Sequence, residues 1–275
     1  MKNKTCCVIG YPIRHSLSPV IHNTLYGIYG IGCEYVIEEV KPGEMCRFMD
    51  CIPVRNICGF NVTMPYKKEV IGYLDNVPAT DSVNSVAVRD GKLIGISTDE
   101  AGFLKSLHEK GASYQNQKIV FIGAGAVTGA LARDAAQKGA GKITLLNRTL
   151  ENAARIADET GGEAMTFDAA KTYDCIRGCD ILVNTTPQGM AGCPPFPGFG
   201  FLANLNPDAL VCDLIYKPLE TDFLKKAAQR GNRTQGGLSM LIWQAFYAFH
   251  HFFGVMPTER DKEIVLTKIK EQLKN

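Results

Sequence analysis

The chain has 275 residues, 45% of them hydrophobic, which is enough to bury the core of one large domain or of two smaller ones. Its 30 basic and 28 acidic residues leave a net charge of +2. A charge this small does not indicate nucleic acid or a membrane surface as a partner. The composition therefore favours a protein that acts on a small molecule.

Ten cysteines raise the question of disulfide bonds. The first residues, MKNKTCCVIGYP, lack the apolar core and cleavage pattern of a signal peptide, so we expect a cytoplasmic protein with free, mostly buried thiols. The sequence contains no C-x-x-C pair and no cluster of His with Cys, and we predict no metal site. The apolar run 238–255 contains Gln244, His250 and His251, which favours a core helix over a membrane span.

The N-terminal part alternates strand and helix patterns. Short apolar runs at 5–10, 34–40 and 58–62 predict strands with helices between them, which is typical of an α/β domain with a largely parallel sheet. Ser16 and Ser18 precede the first helix. Two serines in this position can hold an anion with their hydroxyls and amides, or they can simply cap the helix.

Polar residues follow the third predicted strand. Thr63 and the adjacent Lys67 and Lys68 stand where open α/β sheets bind their ligands, although spacing alone does not say which lysine faces inward. Asp90-Gly91 joins two β-rich segments and predicts a hairpin. Asp99 then opens a helix, either as a functional acid partnered by Lys67 or as an ordinary helix-start residue.

The segment 118–132, KIVFIGAGAVTGALA, predicts a strand, a tight turn and a helix. Gly123 permits the turn, and Gly125 permits a pyrophosphate to approach the helix N-terminus. Thr128 stands where the third glycine of G-x-G-x-x-G belongs, so an ordinary turn that packs a helix on a sheet is the alternative. A second apolar run at 142–146 supports the nucleotide-binding interpretation, because it ends about 20 residues beyond the glycines.

The residues after that second run indicate which nucleotide binds. Asn147, Arg148 and Thr149 replace the acid that usually holds the ribose of NAD. A guanidinium and a hydroxyl suit the extra phosphate of NADP. The alternative is a surface arginine followed by a threonine that caps the next helix.

Further runs at 181–186 and 210–214 predict later strands of a doubly wound sheet. Polar, turn-forming residues at 111–116 suggest a domain boundary. We therefore predict an α/β protein with a substrate-binding catalytic domain at 1–110, a Rossmann NADP-binding domain at 111–237, and C-terminal helices at 238–275 that pack back on the first domain.

Several motifs together resemble the shikimate dehydrogenase family over nearly the whole chain. They are GYPIRHSLSPVIHN (10–23), NVTMPYK (61–67), SVNS (82–85), STDEAG (97–102), GAGAVTGA (123–130), NRT (147–149), NTTPQGM (184–190), DLIYKP (213–218) and GGLSMLIWQ (236–244). The resemblance implies a cytoplasmic enzyme of aromatic amino acid biosynthesis, monomeric or homodimeric, that reversibly reduces 3-dehydroshikimate with NADPH in a cleft between two domains.

The resemblance also assigns roles by position. Lys67 would be the catalytic lysine, paired with Asp99. The implied substrate-binding residues are Ser16 and Ser18 for the carboxylate, Thr63, Asn84, Asp99 and Gln244 for the hydroxyls, and Tyr216. The implied cofactor-binding residues are Gly123, Ala124, Gly125, Ala126, Val127, Asn147, Arg148, Thr149, Leu214 and Gly237.

Three departures from the family pattern affect these assignments. SVNS replaces the usual GAVNT, STD replaces NTD, and GAGAV replaces GAGGA. The segment before Asn84 is also shorter than usual, so we expect a reshaped floor of the site there. Oxidation of quinate, use of NAD, or a non-catalytic nucleotide-binding regulator remain as alternatives.

Overall fold

The computed structural model describes residues 4–78, 80–167 and 174–274. The chain divides into two compact units, the first comprising Met1–Thr98 with Gln244–Asn275 and the second comprising Asp99–Trp243. Contacts thus place the helix that begins at Asp99 in the second unit. The predicted domain boundaries after residues 110 and 237 remain predictions.

The first unit contains a five-stranded mixed sheet with strand order β2-β1-β3-β4-β5. The strands are β1 (Lys4–Gly10), β2 (Cys33–Glu39), β3 (Ile57–Val62), β4 (Ser85–Arg89) and β5 (Lys92–Ile96). β1 runs parallel to both β2 and β3, whereas β4 is antiparallel to its two neighbours. The predicted α/β character is confirmed, and the antiparallel hairpin is the part of the sheet that departs from parallel pairing.

The predicted Asp90-Gly91 turn joins β4 to β5. Arg89 pairs with Lys92 across it, and both central residues have positive φ, 49° for Asp90 and 77° for Gly91. Two positive φ values define the turn that matches the twist of a hairpin. The hairpin prediction is confirmed.

Four helices of the described chain contribute to the first unit: α1 (Ser18–Tyr29), α2 (Met45–Val54), the later part of α7 (Gly237–Phe253), and α8 (Glu259–Lys274). The side chains of Phe246 and Phe249 on α7 are fully buried, which confirms the predicted core helix. In the part of the chain that the structure describes, no helix has the length and apolar sequence needed to cross a bilayer.

The second unit contains a six-stranded sheet in which every pairing is parallel. Its order is β11-β10-β9-β6-β7-β8. The strands are β6 (Lys118–Ile122), β7 (Lys142–Asn147), β8 (Glu163–Thr166), β9 (Ile181–Asn184), β10 (Leu210–Asp213) and β11 (Arg233–Gln235). Numbered within the unit this is the 3-2-1-4-5-6 order of the Rossmann fold, so the doubly wound prediction is confirmed.

Both faces of this sheet are covered. Ile119 and Phe121 of β6 pack in one hydrophobic cluster, and the alternate residues Val120 and Ile122 pack in another. Around the strands lie α3 (Asp99–His108), α4 (Ala126–Gln137), α5 (Leu150–Thr160), α6 (Asp222–Gln229) and the first turns of α7. Burial on both faces explains why the strand sequences are continuously apolar rather than alternating.

Asp213, the last residue of β10, ties together the carboxyl ends of two neighbouring strands. Its Oδ1 accepts hydrogen bonds from Asn184 Nδ2 at 3.0 Å and from the Ile215 amide at 3.1 Å, and its Oδ2 accepts one from Thr221 Oγ1 at 2.6 Å. Burial raises the pKa of Asp213 to about 6, and these three hydrogen bonds only partly oppose the increase. The buried carboxylate therefore makes the stability of the unit depend on pH.

We expect Asp213→Asn to remove a pH dependence of unfolding. Because the folded-state pKa of this acid is raised, the folded protein binds a proton between pH 4 and 6 that the unfolded chain does not. The contribution of Asp213 to the unfolding free energy should thus grow by about 1 kcal/mol as the pH falls from 7 to 5, and asparagine cannot ionise. Equilibrium urea unfolding at the two pH values measures this difference.

The exposed Asp222 at the start of α6 provides the control. Asp222→Asn should keep the pH dependence of the wild-type protein. If wild type and Asp213→Asn lost or gained stability in parallel between pH 7 and 5, the interpretation of Asp213 would be wrong.

Candidate active site

In the first unit, the loops after β1 and β3 meet at the carboxyl edge of the sheet. The Thr63 amide donates to the Ile9 carbonyl at 2.9 Å, and the Tyr11 amide donates to the Met64 carbonyl at 3.1 Å. A Cβ added at Gly10 would lie 2.5 Å from the Thr63 side chain, so only glycine allows this approach. The contact brings Thr63 to the same edge of the sheet as the loop after β1, which contains Ser16.

Ser16 and Ser18 are hydrogen-bonded to each other at the start of α1. Ser16 Oγ donates to Ser18 Oγ at 3.2 Å and accepts the Ser18 amide at 3.2 Å. The residue at the N-cap position of α1 is Leu17, which makes no side-chain cap hydrogen bond. Ser16 thus satisfies the first amide of α1, and both hydroxyls lie at the helix N-terminus, where an anion can also bind.

The structure distinguishes the two adjacent lysines. Lys67 is half-buried, whereas Lys68 is exposed. The carbonyl of Lys67 accepts the Val83 amide at 2.8 Å, which ties the lysine segment to the segment that carries Asn84. Lys67 is thus the lysine that faces the protein.

Asn84 is 3% exposed and connects three segments of the first unit. Its Nδ2 donates to Gln244 Oε1 at 3.2 Å and to Thr98 Oγ1 at 3.0 Å, and its Oδ1 accepts the Thr98 amide at 2.7 Å. Asn84 and Gln244, two predicted hydroxyl-binding residues, are far apart in the sequence. These hydrogen bonds hold their side chains together.

Two residues that were not predicted from the sequence, Asn61 and Tyr35, support this network. Asn61 Nδ2 donates to the Asn84 carbonyl at 3.0 Å, and the Tyr35 hydroxyl donates to Asn61 Oδ1 at 2.6 Å. Asn61 was visible as the first residue of NVTMPYK, but no local signal links Tyr35 on β2 to Asn61.

In the second unit, the predicted nucleotide turn follows β6. Gly123 has φ +112°, and a Cβ there would lie 2.5 Å from Thr185 Oγ1. Gly125 is exposed, with no atom within 4 Å of an added Cβ, so the turn presents open backbone. The neighbouring Ala126 and Val127 form the first turn of α4, where amides lack helical partners. This backbone fits a pyrophosphate.

Thr128 replaces the third glycine without disturbing the turn. It is fully buried, its Oγ1 accepts the Gly125 amide at 3.2 Å, and it shares a hydrogen bond with Thr185 Oγ1 at 2.7 Å. The hydroxyl therefore fixes the glycine turn to the end of β9. The motif departs from the consensus in sequence while the local geometry is maintained.

The predicted NADP-binding residues Asn147, Arg148 and Thr149 lie at the end of β7 and in the loop that follows it. Arg148 is exposed, and no ion pair holds its guanidinium within the described ranges of the chain. Thr149 takes the N-cap position of α5 without a side-chain cap hydrogen bond. Asn147 Nδ2 donates to the Thr149 carbonyl at 2.8 Å and shapes the loop.

Leu214 and Gly237 lie side by side in the second unit. The Gly237 amide donates to the Ile215 carbonyl at 3.0 Å, and a Cβ added at Gly237 would lie 2.1 Å from the Leu214 carbonyl oxygen, so only glycine fits there.

Two further predicted substrate-binding residues are at least partly buried. Tyr216 is half-buried, and burial raises the pKa of its phenol, which therefore stays neutral. Asp99 is buried at the start of α3.

Two protein-family models match the chain. Residues 8–86 match the shikimate dehydrogenase substrate binding domain, and residues 105–190 match shikimate / quinate 5-dehydrogenase. The two matches correspond to the predicted substrate-binding part and to the nucleotide-binding part of the sequence.

Individual proteins match over almost the full length. The NADP(+) shikimate dehydrogenase of Halothermothrix orenii is 37% identical over 97% of this chain and 94% of its own. The structure of shikimate 5-dehydrogenase from Listeria monocytogenes with shikimate and NAD has TM-score 0.85 and 32% identity, covering 96% of each chain. That of the Thermus thermophilus enzyme with NADP(H) and shikimate has TM-score 0.83 and 27% identity, covering 95% and 98%. On this evidence, the chain belongs to the shikimate dehydrogenase family.

Proposed function

We propose that this protein is an NADP-dependent shikimate dehydrogenase that interconverts 3-dehydroshikimate and shikimate in the formation of chorismate and the aromatic amino acids. The observation that carries the proposal is the Asn84 network at one edge of the first unit. It holds Gln244 in place and is linked through the chain to the half-buried Lys67. A relative 37% identical with the same activity in its name adds support.

The polar residues of the first unit suit a small hydroxylated acid. Ser16 and Ser18 supply hydroxyls and an amide that bind the substrate carboxylate, as helix-entrance donors do. Thr63, Asn84 and Gln244 bind the ring hydroxyls. Asp99 and Tyr216, which belong to the second unit, are the other substrate-binding residues of this proposal. A site built from buried hydrogen-bonding groups rejects analogues that leave those groups unpaired.

Lys67 transfers the proton in this proposal. During reduction its ammonium group donates a proton to the oxygen of the substrate carbonyl, and during oxidation the neutral amine accepts that proton. Asp99 orients Lys67 and a substrate hydroxyl in this proposal. NADPH, when bound, supplies the hydride.

The second unit holds the cofactor. The backbone from Gly123 to Val127 binds the pyrophosphate, and Leu214 and Gly237 contact the nicotinamide side. Asn147, Arg148 and Thr149 bind the adenosine 2′-phosphate, where a guanidinium can make paired, charge-assisted hydrogen bonds. The exposed and unpaired state of the Arg148 side chain within the described chain supports this assignment.

The same proposal places the enzyme in the cytoplasm as a monomer or homodimer. Quinate oxidation and use of NAD are the alternatives within the enzyme class, and the Listeria monocytogenes structure with NAD keeps the second of these open. A non-catalytic regulator is the alternative from another class. The presence of both Lys67 and Asp99 speaks against it, since a sensor needs no proton-transfer pair.

We expect Lys67→Ala to lower kcat for shikimate oxidation by NADP by at least about 100-fold, the usual contribution of a positioned acid or base. The exposed neighbour provides the matched control, and Lys68→Ala should keep wild-type turnover. Initial rates at saturating substrates, with melting temperatures of all three proteins, test this. Wild-type turnover in a folded Lys67→Ala variant would contradict the assignment.

Arg148→Ala should raise KM for NADP by about 10- to 100-fold and leave KM for NAD nearly unchanged, because only NADP carries the phosphate that the guanidinium binds. Arg155→Ala, which removes an exposed arginine paired with Glu159 on α5, is the control and should affect neither cofactor. Steady-state rates with each cofactor measure the effect. An equal loss for NADP and NAD would show that Arg148 does not select the phosphate.

A further inference from the structure

Three cysteines that are far apart in sequence meet at one edge of the first sheet. Cys33 on β2, Cys6 on β1 and Cys58 on β3 lie on three adjacent parallel strands. The Sγ atoms of Cys6 and Cys58 are 3.3 Å apart, those of Cys6 and Cys33 are 3.7 Å apart, and those of Cys33 and Cys58 are 3.9 Å apart. Each sulfur thus contacts both of the others.

These distances match a set of thiolates around one metal ion. Zinc–sulfur bonds of about 2.3 Å in tetrahedral geometry place neighbouring sulfurs about 3.8 Å apart. A disulfide would join only two of the thiols and leave the third without a role. Three cysteine sulfurs are a donor set that selects soft, thiophilic ions such as Zn²⁺ over Mg²⁺ or Ca²⁺.

A metal ion binds cysteine sulfurs as thiolates, so binding at this cluster would displace the protons of the three thiols.

The cluster of three cysteines is partly buried, but solvent can still reach it. Cys6 is fully buried, whereas Cys33 and Cys58 are half-buried, so an ion can reach the sulfurs from the solvent. Tyr26 is 3% exposed, its buried hydroxyl makes no hydrogen bond of normal geometry within the described chain, and the hydroxyl is close enough to Cys6 to interact with it electrostatically. This polar group can donate to a metal-bound sulfur, as supporting groups around metal sites do.

We propose that Cys6, Cys33 and Cys58 form a binding site for one thiophilic metal ion, with Zn²⁺ as the occupant. The site lies near the first residues of the three strands, at the edge of the sheet opposite the loops that carry Ser16 and Thr63. A bound ion would cross-link β2, β1 and β3 and stabilise the first unit. This role is separate from the dehydrogenase reaction.

Zinc titration of the full-length protein, reduced and stripped of metal with a chelator, tests the proposal. Competition with a chromogenic chelator should show one Zn²⁺ per chain with an apparent Kd below about 1 μM. Cys33→Ser and Cys58→Ser should each weaken binding by at least about 100-fold. Cd²⁺ should give a thiolate-to-metal charge-transfer band in the wild-type protein that both variants lose.

The half-buried Cys193 belongs to the second unit and provides the matched control. Cys193→Ser should bind Zn²⁺ as the wild-type protein does, and Zn²⁺ should raise the melting temperature of both, because an ion that binds the folded state stabilises it. That increase should be absent in Cys58→Ser. The proposal would be overturned if the reduced wild-type protein bound no Zn²⁺ at micromolar concentration, or if Cys33→Ser and Cys58→Ser bound it as tightly.

Discussion

The first unit depends on the hydrogen bonds of the buried side-chain amide of Asn84. This amide joins the start of the β4 hairpin to Thr98 and to Gln244, residues that are far apart in the chain. A buried amide must satisfy its hydrogen bonds, because an unpaired group would cost about 1–3 kcal/mol. The same requirement that stabilises the unit therefore also fixes two groups proposed to recognise the substrate.

Parallel strands organise the rest of the chemistry. At the carboxyl edges they collect the serines, Thr63 and Lys67 in one unit, and the glycine turn, Arg148 and Asp213 in the other. At the opposite edge of the first sheet the same parallel pairing collects three thiols. One topological rule thus accounts both for the proposed catalytic residues and for a feature that the reaction does not use.

Local patterns predicted the elements with strong signals: the apolar strands around the glycine turn, the Asp90-Gly91 hairpin and the core helix α7. The short strands β8 and β11 were missed, because their sequences EAMT and RTQ show neither an apolar run nor clear alternation. Only the structure could show that Lys67 rather than Lys68 faces the protein, since two adjacent lysines fit the sequence pattern equally well. The thiol cluster contrasts with the expectation of no metal site, because parallel strands bring together cysteines that no local motif connects.

The most direct test of the proposed shikimate dehydrogenase activity is to measure initial rates of cofactor reduction by the purified protein. Shikimate or quinate would be the substrate, and NADP or NAD the cofactor. We expect shikimate with NADP to give the dominant rate, because the polar residues of the first unit are proposed to select shikimate and Arg148 is proposed to select NADP. Absence of turnover in all four combinations by a folded protein that still binds NADP would contradict it and would favour a regulatory nucleotide-binding role.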